Sequence, residues 1–191
     1  MTKFRFSKRP TYIPKVQDGN IVDWGVRIPA VFVNALILAW RPSVASVKSS
    51  GDIFIVDPVT DRVLSNRAAK KNYKKLGYPE VEPEQLYSDV SARRLLIEQA
   101  VKNQLAAKAD IVIAPYLFAE DTDDTKFSVN LTLLAETVRY VKEQNITQPL
   151  FAMICIGSSV LARPAIINHI IDRYNDDFAA HVEGFFVSVN D

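Results

Sequence analysis

The sequence FIVDP at residues 54–58 is an apolar run that ends abruptly in polar residues. Three further segments repeat this pattern: IVIAPY at 111–116, FAMICIGS at 151–158 and FFVSVND at 185–191. The stretches between them have helical periodicity. Apolar runs without alternation, separated by amphipathic helices, are typical of a buried parallel sheet. Because ligands bind where the strands of such a sheet have their carboxyl ends, the four runs predict the position of a site.

The fold class follows from the number of these units. With residues 31–38 as a further strand and the last strand beginning near Val182, the sequence holds five candidate parallel strands. Three or four crossover helices join them, over residues 67–76, 89–108, 128–144 and 165–175. We predict an α/β protein with a predominantly parallel sheet, arranged as an incomplete or shortened TIM-type (β/α) barrel. The alternative is an open doubly wound sheet.

The longest predicted helix has clear boundary and face signals. Ser88 or Asp89 is placed to cap its start, and its apolar residues recur at helical spacing. The same periodicity predicts that Arg93, Glu98 and Lys102 point outward.

Composition sets broad limits on the domain organisation and on the partners. The chain has 191 residues, 48% of them hydrophobic, and a formal net charge of +1. We predict an irregular basic arm over residues 1–29 and a single α/β domain over 30–191. The longest apolar run, residues 30–40, is too short to span a bilayer, and no apolar signal segment follows the basic start. We therefore predict a cytoplasmic protein without a membrane partner.

The sequence lacks a recognisable metal-binding pattern. Cys155 is the single cysteine and the chain has two histidines, which do not make up a zinc cluster. The acidic loop at 120–124 fails the EF-hand pattern, since Lys126 stands where that loop requires glycine. We predict no metal site and no cofactor, and interpret the acidic loop as a solvated start to the following helix.

Two residues at strand ends are the strongest candidates for chemistry. Asp57 ends a buried strand, where a partly desolvated carboxylate suits acid–base work or ligand binding. The alternative is that Asp57 shapes the following turn by accepting main-chain N–H bonds. Tyr116 ends the next strand and is suited to stacking or hydrogen bonding, or else packs over the core.

The ends of the last two strands add further candidates. Gly157 and Ser158 have the small side chains of an anion-binding turn, although an undecorated tight turn has the same composition. Ser188 and Asn190 would lie beside the earlier strand ends, and Asp191 would form a carboxylate pair with Asp57. The alternative is that the last residues are a frayed terminus.

A basic stripe provides the alternative site. Its members recur at helical spacing: Arg67, Lys70, Lys71, Lys74 and Lys75. Such a stripe contacts phosphates in nucleic-acid-binding proteins, and it is also typical of a solvated helix face. The run from residue 67 to residue 75 contains no acidic residue.

The strand ends FIVDP, IVIAPY, FAMICIG and FFVSVND resemble those of the barrel of tRNA-guanine transglycosylase relatives. The resemblance covers residues 50–191 and is one of layout. It implies that Asp57 and Asp191 handle a purine-like base. The family's zinc site needs several cysteines and a histidine, which this chain does not supply.

Three functions remain open at this point. The first is an enzyme-like domain that binds a small polar or nucleobase-like ligand at the strand ends. The second is a non-catalytic module that binds RNA or a protein through the basic stripe. The third is a structural or truncated subunit that works after assembly, in which a second copy of the chain covers the exposed sheet edges.

Overall fold

The protein is a mixed α/β fold in which every strand pairing is parallel within the residues that the structure describes. The computed structural model describes residues 15–16, 28–35, 51–58, 60, 74–117, 124–157, 172 and 182–190. Its strands are β1 (Lys15–Val16), β2 (Ile28–Asn34), β3 (Gly51–Asp57), β4 (Val112–Ile113), β5 (Leu150–Gly157) and β6 (Gly184–Asn190). Its helices are α1 (Gln85–Ser88), α2 (Val90–Ala106) and α3 (Asp124–Glu143), with a 3₁₀ turn at Lys74–Leu76.

The strands form two sheets of three, in the orders β1-β2-β3 and β4-β5-β6. The register places Asn34 opposite Asp57 at the carboxyl ends of β2 and β3. It likewise places Gly157 opposite Asn190 at the carboxyl ends of β5 and β6. Within each sheet the strand tips therefore lie at one edge, as the apolar runs predict.

The two sheets meet along a seam between β3 and β4. Asp110, two residues before β4, connects the sheets. Its N–H donates to the Phe54 carbonyl at 2.9 Å and its Oδ2 accepts from the Phe54 N–H at 2.7 Å. Near the other end of the seam the Tyr116 hydroxyl donates to Asp57. Since residues 54 to 57 and 110 to 116 progress in the same direction, β4 runs parallel to β3.

Each sheet is apolar on both faces, as in α/β proteins whose strands are covered by helices. Phe54 and Val56 belong to the larger core cluster, which includes the buried apolar residues of α2 and α3. Ile53 and Ile55 belong to a second cluster on the opposite face, together with Phe32 from β2 and residues of β4 and β5. These two clusters form the core.

The second cluster also connects strands that are distant in the strand order. The ring of Phe186 in β6 lies 5.1 Å from that of Phe151 in β5. It also lies 5.9 Å from the ring of Phe32 in β2, with an edge-to-face angle of 69°. The aromatic side chains of both sheets thus share one apolar interior.

Several element boundaries differ from the sequence prediction. The strand predicted over 31–38 runs from Ile28 to Asn34, and Ala35 is already helical. The helix predicted from residue 128 begins at Asp124, and the last strand begins at Gly184. Residues 15–16, inside the predicted irregular arm, form a strand that pairs with β2. Asp172 is helical, and the rest of the helix predicted over 165–175 lies outside the described residues.

The predicted face of α2 needs a correction. Asp89 caps its start as expected, since its Oδ1 accepts from the N–H groups of Ser91 and Ala92. Arg93, however, is 6% exposed and points into the protein. It does so because Glu136 of α3 forms a buried ion pair with its guanidinium group. In the described part of the chain, no helix combines the length and apolarity that crossing a membrane requires.

Candidate functional site

The two strongest sequence candidates are in direct contact. The Tyr116 hydroxyl donates a hydrogen bond of 2.9 Å to Oδ1 of Asp57. Asp57 is 1% exposed and Tyr116 4% exposed. We call this contact the Asp57–Tyr116 pair. It lies where the carboxyl ends of β3 and β4 adjoin.

Strand alternation explains the position of the carboxylate. Ile53 and Ile55 face the apolar interior, and successive residues of a strand point to opposite faces. Asp57 continues their series, so its carboxylate lies at the carboxyl-end rim of that interior. The Tyr116 ring packs in the same cluster and brings its hydroxyl to the rim.

Two residues hold the loops that carry the pair. The Thr60 hydroxyl donates to the Tyr116 carbonyl at 2.7 Å and accepts from the Tyr116 N–H at 2.8 Å. The Tyr78 hydroxyl donates to the Pro58 carbonyl at 2.7 Å. These bonds hold the main chain at Tyr116 and at Pro58, directly after Asp57. The Tyr116 hydroxyl and the Asp57 carboxylate therefore have a defined orientation.

A third connection supports the loop after β4. Asn130 of α3 accepts from the Leu117 N–H at 2.7 Å through Oδ1 and donates to the Leu117 carbonyl at 2.9 Å through Nδ2. Asn130 is buried. A buried side-chain amide that satisfies both main-chain groups of one residue keeps an irregular segment in the interior without unpaired polar atoms.

The arrangement has a definite chemical capability. An ionised carboxylate accepts hydrogen bonds and does not donate them. The Tyr116 hydroxyl bonds to Oδ1 of Asp57 and orients the carboxylate. A carboxylate held in this way at the edge of an apolar interior is suited to recognising a ligand that presents N–H or O–H donors.

The remaining strand-end candidates are placed only by their backbone. Gly157 and Asn190 are register partners at the ends of β5 and β6, and Ser188 is the partner of Cys155. Ser158 and Asp191 lie outside the described residues. A carboxylate pair between Asp57 and Asp191 therefore stays a prediction.

The basic stripe is described only at its end. Lys74 and Lys75 are exposed and lie in the 3₁₀ turn, whereas Arg67, Lys70 and Lys71 lie outside the described residues. An acidic residue from outside the run pairs with it at this end, because Glu80 Oε1 is 2.8 Å from Lys74 Nζ. The hydrogen bond to Glu80 and its negative charge raise the pKa of Lys74. This pairing reduces the positive charge available to a phosphate at that end.

Sequence reasoning missed the residues that support the site. Thr60, Tyr78 and Asn130 bond to the main chain of distant segments, and none of them belongs to a recognisable motif. A usable signal was the polar residue Asn130 at a helix position that the apolar periodicity predicts to be buried. Among the residues described, no group of three metal-ligating side chains comes together.

Comparisons with protein-family models, with curated proteins and with solved structures find no match to this chain.

Proposed function

We propose that this protein binds a small polar ligand of the nucleobase class at the common carboxyl edge of its parallel strands. Asp57 would accept hydrogen bonds from the ligand, and Tyr116 would hold the carboxylate in place. The observation that carries the proposal is the 2.9 Å contact between the Tyr116 hydroxyl and Asp57 Oδ1 at that edge.

The packing of the two sheets supports a location of the Asp57–Tyr116 pair on a concave surface. We propose that the two sheets form one curved wall, as in an incomplete (β/α) barrel. Neighbouring strands lie about 4.8 Å apart, so four flat spacings from β2 to β6 would separate their rings by roughly 19 Å. The rings of Phe32 and Phe186 are 5.9 Å apart, which fits a strongly curved surface. Asp57 would then line the mouth of the enclosed interior.

The ligand class follows from the chemistry of the pair. Carboxylate oxygens accept hydrogen bonds from N–H donors such as those on the amide and amine edge of a purine. The apolar interior beside it suits a planar ring. The layout resemblance to transglycosylase relatives favours the same ligand class.

Burial of the pair has a kinetic consequence. With Asp57 only 1% exposed in the free chain, a ligand must displace covering groups to reach it. We therefore expect association to be slower than binding to a preformed, open site, because a conformational change must accompany it.

The test is a panel of free purines and pyrimidines, followed by calorimetry and thermal unfolding. A base with adjacent N–H donors is expected to bind and to raise the melting temperature, and a base without them is not. Asp57→Asn replaces one acceptor oxygen with an N–H₂ donor and should weaken binding by at least about tenfold.

The control for the hydroxyl is Tyr140→Phe. Tyr116→Phe removes the hydroxyl that contacts Asp57, whereas Tyr140 lies on α3 beside Arg94 and Glu98 of α2. Tyr116→Phe should weaken binding, while Tyr140→Phe should leave it unchanged. Equal effects of the two variants on affinity, or no base binding to the unaltered chain, would overturn the proposal.

A further inference from the structure

The seam between β3 and β4 differs from the other junctions between neighbouring strands. Within the described part of the chain, β3 forms a parallel ladder with β2, and β4 forms one with β5. The two sheets do not continue into each other across the seam. At its middle, the side chain of Gln104 bonds to both main-chain groups of Ile113. The seam therefore lacks the ladder that holds the strands of each sheet together.

Side-chain contacts close the carboxyl end of the seam. The Thr60 hydroxyl, in a residue 0% exposed, bonds to both main-chain groups of Tyr116, and the Tyr116 hydroxyl bonds to Asp57. Thr60 follows β3 in the chain and Tyr116 follows β4, so these contacts cross the seam. At the amino end, Asp110 and Phe54 form two further bonds. Because the two ends are held by different residues, the carboxyl end can separate while the amino end stays joined.

Each strand tip at the carboxyl end has its own anchor. The Tyr78 hydroxyl bonds to the carbonyl of Pro58, which follows β3. On the other side, Asn130 of α3 bonds to both main-chain groups of Leu117, which follows β4. Neither anchor connects the two strands. Separation of the strand tips would therefore leave both anchors intact.

We infer that the carboxyl end of the seam is the entrance to the proposed site, and that Thr60 is the positioning residue that keeps it closed. This inference rests on the proposed function, because it assigns a route to a ligand of Asp57. Asp57 is 1% exposed, so a neighbouring contact must open before a ligand reaches it. A few side-chain bonds separate more readily than a continuous main-chain ladder, and the strand tips then act as a gate.

Nitration of the full chain with tetranitromethane, followed by peptide mass spectrometry, tests the opening without any ligand. Tyr116 is 4% exposed, so the reagent reaches its phenol when the strand tips separate. Thr60→Val keeps the shape of the side chain and removes the hydroxyl, so Tyr116 should be nitrated at least about tenfold faster. Thr60→Ser keeps the hydroxyl and should restore slow nitration. Tyr78 should stay protected in both variants, which distinguishes local opening from unfolding.

Thr137→Val is the matched control. Thr137 is also 0% exposed, and its hydroxyl donates to the Leu133 carbonyl within α3, so the bond does not cross the seam. This variant loses a buried hydroxyl as Thr60→Val does, and it should leave the nitration rate of Tyr116 unchanged.

A base that binds in the panel above provides a second measurement, by stopped-flow mixing. Thr60→Val should associate with it at least about tenfold faster, because association is proportional to the population of the open form. Damage to the site would instead weaken binding without faster association. Unchanged nitration of Tyr116 in Thr60→Val, or equal acceleration by Thr137→Val, is incompatible with the gate even if bases bind. If no base binds while Thr60→Val exposes Tyr116, the proposed function is wrong and the opening of the seam still stands.

Discussion

The side-chain amide of Gln104 bonds to both main-chain groups of Ile113. Its Oε1 accepts from the Ile113 N–H at 2.7 Å, and its Nε2 donates to the Ile113 carbonyl at 2.9 Å. The N–H groups of Val112 and Ala114 donate to carbonyls on the β5 side of β4. Because the main-chain groups of successive residues in a strand point to opposite sides, the N–H and the carbonyl of Ile113 point toward β3. Gln104 thus takes the place of a strand partner in the seam, which explains why the sheet is divided between β3 and β4.

Gln104 should therefore be critical for stability. Gln104→Met keeps the approximate volume but leaves two buried main-chain groups of Ile113 without partners, and Gln104 itself is 0% exposed. We expect the free energy of unfolding to fall by about 2–4 kcal/mol, measured by urea denaturation. Gln99 provides the control, because its amide bonds to the Leu76 carbonyl in a half-buried position. Gln99→Met should cost only about 1 kcal/mol, and equal losses would contradict the role of Gln104.

The buried ion pair between α2 and α3 yields a second prediction. Glu136 accepts three hydrogen bonds of 2.8 to 3.0 Å from Arg93, whose remaining amino group donates to the Leu86 carbonyl. Arg93→Met leaves the Glu136 carboxylate without its countercharge and should cost about 3–5 kcal/mol. The double variant with Glu136→Met should cost less than the sum of the two single changes, because no uncompensated charge remains.

Glu143→Gln is the control for that experiment. The Arg94–Glu143 pair joins the same two helices, but its side chains are 66% and 46% exposed. Exposed pairs contribute little, so this change should cost less than about 0.5 kcal/mol. A comparable loss from both pairs would show that burial does not decide their contributions.

The fold was predictable from sequence where the signal is local. The apolar runs in the sequence predict strands β3, β5 and β6, and Asp89 marks the start of α2 as an N-cap does. The burial of Arg93 was not predictable, because the cause is Glu136, which lies 43 positions away in the chain. Periodicity assigns a lone arginine to solvent unless its partner is known.

The candidate site divides in the same way. The positions of Asp57 and Tyr116 at neighbouring strand ends follow from the parallel topology, and each was a candidate on that ground. Their mutual hydrogen bond spans 59 positions of sequence and depends on how the strands pair. The division of the sheet by Gln104 depends on one side chain that replaces a strand, and no composition or period indicates such a replacement.

Close packing at the start of β6 provides a third prediction. A Cβ atom at Gly184 would lie 2.7 Å from Cε1 of Phe151, so Gly184→Ala should cost about 1–3 kcal/mol. Adding Phe151→Leu should recover part of that loss in thermal unfolding.

Gly77 differs, because its φ of +69° disfavours any side chain. Gly77→Ala should stay destabilised by about 1 kcal/mol even when Gln99→Ala clears the space. Full rescue at Gly77, or none at Gly184, would contradict these assignments.

Tyr140 should make the folded state sensitive to alkaline pH. Burial and then the negative charge of Glu98 raise its pKa above the ordinary 10.0, while Arg94 acts in the opposite direction. The folded chain therefore keeps the phenol proton at pH values where the unfolded chain has lost it. The resulting stabilisation is complete below pH 10 and disappears as the pH rises through the raised pKa. Tyr140→Phe should abolish this part of the alkaline decline in unfolding free energy. In tyrosine-selective NMR titrations, Glu98→Gln should lower the pKa of Tyr140 and Arg94→Gln should raise it. Shifts of the same sign in both variants would mean that these charges do not act on the phenol as the geometry requires.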